Sequence, residues 1–167
     1  MLLDDNQYKE VWDRVYDELK FHPYTAHTGI CPFTISHPHV IFDISGTESR
    51  MVDDMITSAF VACVSPGEKM YALDWQHSAF LFDPRDPSQM ESFYTEDFRH
   101  FGGGYHVEFP PYYPDGDYYF FIDENFRFGY LSHPWRREVW IFGACLITEF
   151  KKIYREFGWE IKEEHSV

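Results

Sequence analysis

The chain reads as an α+β domain: a single antiparallel sheet with a C-terminal three-strand meander, flanked by N-terminal, middle and C-terminal helices. Three observations carry that expectation. Apolar residues recur at helical spacing in three separate segments, and short β-branched or aromatic runs lie between turn residues. The resulting order of helix, strand, helix, strands and helix lacks the regular alternation of a parallel α/β fold. At 167 residues, the whole of 1–167 fits one globular domain with a sizeable core.

The elements follow in order. Tyr8, Val11, Trp12, Val15, Tyr16 and Leu19 form one apolar face, behind the capping and acidic residues Asp4, Asp5 and Asn6. Lys20 suits the negative end of that helix, and His22-Pro23 stops it. Residues 23–38 are irregular, and Val40–Ile44 is a β-branched strand. Met51, Val52, Met55, Ile56, Ala59, Phe60 and Cys63 define a second helix within 48–64, ended by the Pro66-Gly67 turn.

Met70–Asp74 and Ser78–Phe82 are strands on either side of the corner Trp75-Gln76-His77. Residues 83–104 read as a long loop holding at most one short element, and a loop of that length is a place to look for function. The meander then runs through Asp117–Ile122, Phe126–Leu131 and Glu138–Phe142, with a turn at Asp123-Glu124-Asn125 and a break at Pro134. Phe126, Phe128 and Tyr130 alternate onto one expected face. Leu146, Ile147, Phe150, Ile153, Tyr154 and Phe157 make the last helix, with Gly158 at its C′ position.

Composition excludes some functions. The formal charge of −14 opposes binding to a phosphate backbone and favours a basic partner. The first residues lack a signal-peptide pattern, and no apolar run approaches the roughly 20 residues of a membrane helix. Cys31, Cys63 and Cys145 are odd in number and far apart, which reads as reduced thiols in a cytoplasmic protein. Aromatics reach 20% and crowd into 112–143, so that stretch either builds a core or displays an adhesive surface.

Several constellations offer chemistry. His37 and His39 lie two apart and could share a metal with Asp43, although no Cys-x-x-Cys or His-Glu-x-x-His pattern supports it. Asp74 and His77 are close enough for an acid–base pair, or for a network holding the corner. Gly102-Gly103-Gly104 lacks the Lys-Ser/Thr of a phosphate loop, and no Gly-x-Ser-x-Gly elbow occurs. Pro114-Asp115-Gly116-Asp117 lacks the further ligands of a calcium loop and suffices as a turn. Trp135, after His133-Pro134, either folds back on the core or anchors a partner. No motif names a cofactor or a metal.

The segments Tyr71-Ala-Leu-Asp-Trp-Gln-His77, Phe82-Asp-Pro84, PDGDYYFF from Pro114 and SHPW…VWIFG from Ser132 resemble a bacterial family known as domain of unknown function 2716. The resemblance runs from the Trp12-Val15-Tyr16 helix to the last helix and is most specific over 114–143. It implies no reaction and no catalytic residues. It does imply the company of small acidic bacterial proteins that serve as immunity proteins beside toxins. The expectation is therefore a non-enzymatic module binding a basic protein, possible toxins included, through Tyr112, Tyr113, Asp115, Asp117 and Trp135. The alternative is a small hydrolase or metal-dependent enzyme using His37/His39 or Asp74/His77. A scaffold whose aromatics are simply core is the third reading.

Overall fold

A computed structural model describes residues 1–47, 52–95 and 105–165. Helix α1 (Asp5–Glu18) starts where the Asp4 side chain accepts hydrogen bonds from the amides of Asn6 and Gln7, and the Asp4 amide donates to Gln7 Oε1. Strand β1 (His39–Asp43) and helix α2 (Val52–Cys63) follow, then β2 (Met70–Asp74) and β3 (Ala79–Phe82). A short ribbon pairs β4 (Phe93–Thr95) with β5 (Tyr105–Val107). The meander is β6 (Tyr119–Asp123), β7 (Gly129–His133) and β8 (Glu138–Phe142), and α3 (Ala144–Ile153) and β9 (Glu160–His165) complete the chain.

The main sheet has seven antiparallel strands in the order β3-β2-β6-β7-β8-β1-β9. Its centre is buried on both sides, since every residue of β6, β7 and β8 is buried. Successive side chains point to opposite faces. Phe121, Tyr130, Val139 and Ile141 thus meet Ile56 and Phe60 of α2 and Leu146 and Phe150 of α3. Phe120, Leu131 and Trp140 meet Val11, Trp12 and Val15 of α1, with Phe21 and Phe33 beyond it. The three helices therefore flank the sheet as expected, and they cover both of its faces; a strand such as Phe120-Phe121-Ile122 is apolar in both directions and needs two covers.

Two expectations are corrected. Phe126 lies in the hairpin turn with φ 57° and joins the α1-side core, while Phe128 and Tyr130 join the opposite core, so the three do not share a face. The buried Asp123 carboxylate holds that turn open by accepting from the amides of Asn125 and Arg127 and from the Arg127 guanidinium. Cys63 and Cys145 are not reduced thiols. α2 and α3 pack side by side, and the two cysteines form a disulfide with Cα atoms 5.8 Å apart, leaving Cys31 unpaired.

Strand β9 was not anticipated. All its residues are exposed, and its charged sequence gives no apolar alternation; it adds to the β1 edge and blunts it with charge. Gly158 does take the left-handed conformation expected at a C′ position, φ 78°, and a Cβ there would lie 2.4 Å from the Gly46 carbonyl oxygen. Among the described residues no helix is long and apolar enough to cross a membrane. Gly102-Gly103-Gly104 lies outside the described residues.

Candidate functional site

Antiparallel pairing brings the end of β2, the start of β6 and the turn between β7 and β8 to one end of the sheet. Asp74 closes β2 opposite Tyr119, and its amide donates to the Ser78 carbonyl across the corner. The corner is sharp: Gln76 has φ 68°, and the His77 amide returns to the Asp74 carbonyl. Asp117 enters β6 beside it, 3.9 Å from His77 Nε2.

Asp74, His77 and Asp117 thus present donor atoms all within 4.8 Å of one another, a spacing that could hold a metal ion. They line a cleft of about 800 Å³ whose further wall is His106 and Glu108 of the ribbon strand β5 and its exit. The hydroxyl of Ser78 donates to the Glu108 carbonyl and ties that wall to the corner. No Lys or Arg lines the cleft among the described residues.

Electrostatics follow from this crowding. Burial, reinforced by Asp117, Asp115 and Glu108, pushes the Asp74 carboxyl up to about 7. Asp74 Oδ1 is shielded from solvent and accepts no hydrogen bond. Burial also raises Asp117, against the amide of Tyr118 and His77, which favour its charged form. Asp115 accepts a hydrogen bond from the Tyr119 hydroxyl.

An aromatic rim adjoins the cleft. Trp75 stands between Tyr24 and Tyr118, with ring centroids 5.8 and 5.9 Å away, and its indole N–H donates to the Tyr16 hydroxyl at 3.4 Å. Tyr24 is 73% exposed.

The expected partner-binding residues divide. Asp117 joins the cleft, Asp115 sits exposed beside it, and Tyr113 and Trp135 are exposed, Trp135 at 67%. Tyr112 is a correction. It is buried, its ring 4.7 Å from that of Phe121 and its hydroxyl paired with Thr57 at 2.8 Å, so it belongs to the core. His37 and His39 form no site with Asp43. His39 is buried, stacks on Trp140 and His165, and directs Nδ1 to the His37 carbonyl. Sequence reasoning found Asp74 and His77 but did not unite them with Asp117 or Glu108. The pairing of β2 with β6 makes the first union, and only the ribbon makes the second.

His133, before the exposed Trp135, is 98% buried by its 2% exposure and neither ring nitrogen has a partner. Burial pushes it down to about 4, and the charges of Arg136 and Lys162 oppose the pull of Glu138. Between pH 6.5 and 4 the unfolded chain therefore binds a proton that the folded chain refuses, so stability falls as pH falls through that window. The expected loss is about 3 kcal/mol. Urea unfolding of the wild type and His133→Leu at pH 7 and pH 4.5 checks it: the variant loses less on acidification, and equal losses would remove His133 as the cause.

With this geometry in hand, comparison with known proteins places the chain. It belongs to the DUF2716 family. The family, described as a protein of unknown function, matches residues 2–147, a span that includes every cleft residue and ends inside α3. The chain is also 30% identical over 158 residues to the uncharacterized protein YxiI of Bacillus subtilis (strain 168), covering 87% of this chain and 88% of that one. No solved structure matches it.

Proposed function

We propose that this DUF2716 protein is a non-enzymatic binding module that captures a basic protein, a toxin neutralised by its immunity protein being the case we favour. The observation that carries the reading is the acidic, aromatic end of the sheet. Asp74, Asp115, Asp117 and Glu108 gather there without a lysine or arginine in the cleft lining among the described residues. Exposed Trp135, Tyr113 and Tyr24 stand on the same molecule as side chains of the kind that anchor interfaces. A protruding Lys or Arg would find both a counter-charge and aromatic faces.

Charge reversal tests it. Asp115→Lys with Asp117→Lys should slow association with a verified basic partner by roughly tenfold or more and flatten the dependence of the on-rate on salt. Stopped-flow association at several ionic strengths gives both quantities, and unchanged rates would move the interface elsewhere.

A hydrolase acting through Asp74 and His77 is the second reading, favoured by the cleft that unites them. Turnover of a small ester or phosphate substrate that His77→Ala abolishes would select it.

A further inference from the structure

We propose that Asp74, His77 and Asp117 form a divalent metal site of the zinc or manganese type. The donor set is one imidazole nitrogen and two carboxylate oxygens, chemistry that suits borderline divalent ions. Its spacing fits. His77 Nε2 and Asp117 Oδ2 are 3.9 Å apart, too far for a hydrogen bond and a few tenths of an ångström wider than the roughly 3.3–3.6 Å between two tetrahedral ligands each about 2.0–2.2 Å from a shared ion. The widest separation in the group is within 4.8 Å, and the exposed His77 side chain can close the remainder by rotation.

Two observations beyond the spacing of the donors point to a bound cation. Asp74 Oδ1 is withdrawn from solvent without any donor, an unfavourable state that a bound cation would relieve. The group also opens on a cleft of about 800 Å³, so three protein ligands would leave at least one coordination position facing the cleft. The backbone holds the ligands in place: β2 and β6 are paired at Asp74 and Tyr119, and the Trp75 amide donates to the Tyr118 carbonyl at 3.2 Å. A closed structural site would have four protein ligands; this one has three and an opening, the arrangement that lets a metal bind a further group.

The inference does not rest on a protein partner, because the isolated chain suffices to test it. The full chain, stripped by chelator and dialysed, is titrated calorimetrically with zinc chloride and, separately, with manganese chloride. One ion should bind per chain with micromolar or tighter affinity, and saturating metal should raise the melting temperature. Asp74→Asn, His77→Ala and Asp117→Asn should each weaken binding by tenfold or more, while Glu156→Gln, at an exposed position outside the cleft, should not. His77 is exposed, so its alanine variant reports on binding with the fold retained. Circular dichroism of each variant confirms that. Absence of binding up to millimolar metal, or one-to-one binding that survives all three substitutions, would overturn the site.

Discussion

Reduction of the Cys63–Cys145 disulfide should lower the unfolding free energy by about 4.5 kcal/mol. The bond closes a loop spanning 82 residues, and releasing it returns to the unfolded chain roughly the entropy that a loop of this length loses on closure. Replacing both cysteines by alanine should reproduce the loss, and adding reductant to that variant should do nothing more. Equilibrium urea unfolding with and without reductant measures both. Thiol titration of the denatured, unreduced protein should find one free thiol per chain, from Cys31. Three free thiols, or a midpoint indifferent to reductant, would refute the pairing.

Phe121→Ala is expected to cost about 3–5 kcal/mol, enough to unfold a domain of ordinary stability. Phe121 is fully buried in the middle of β6, and its ring meets those of Phe60, Phe82, Phe109, Tyr112 and Tyr130 at centroid distances between 4.7 and 6.3 Å. Alanine would leave a cavity among five neighbouring rings, of which Phe60, Phe82 and Tyr130 are fixed in α2 and the sheet. Phe121→Leu keeps most of the volume and should cost less than half as much, which keeps the comparison measurable if the alanine variant fails to fold. Chemical denaturation of the two variants supplies the test, and a loss under about 1 kcal/mol for alanine would mean this core is not where stability resides.

That result bears on the question posed by the aromatic run over 112–143. Most of its rings are core: Tyr112, Tyr118, Tyr119, Phe120, Phe121, Phe126, Phe128, Tyr130, Trp140 and Phe142 are buried, and Tyr113 and Trp135 are exposed. Aromatic content in the sequence could not separate these groups, because burial depends on which strand lies opposite. The period-2 and period-3.6 patterns did locate the elements. Strand Glu138–Phe142 matches its expected bounds, and β1, β2, β3, α1, α2 and α3 lie where the apolar spacing placed them.

The failures have physical causes. Strand β7 begins at Gly129 rather than Phe126 because Asp123 gathers hydrogen bonds from Asn125 and Arg127 and lengthens the turn. β9 is charged along its length, so its strand state comes from pairing with β1 and not from hydropathy. The disulfide joins residues 82 apart, and only the packing of α2 on α3 reveals it. The cleft was half legible. Asp74 and His77 stand in one tetrapeptide, whereas Asp117 and Glu108 reach them through sheet register and the β4–β5 ribbon.

The central claim, that the acidic end of this sheet captures a basic protein, is tested most directly by co-purification. The tagged chain is recovered from its native host, with the product of the adjacent gene expressed, at low and at high salt. The account predicts a stoichiometric complex with a basic protein that dissociates as salt rises and is lost in the Asp115→Lys, Asp117→Lys variant. Recovery of the chain alone with the neighbour expressed, or a complex indifferent to salt and to those substitutions, would contradict it.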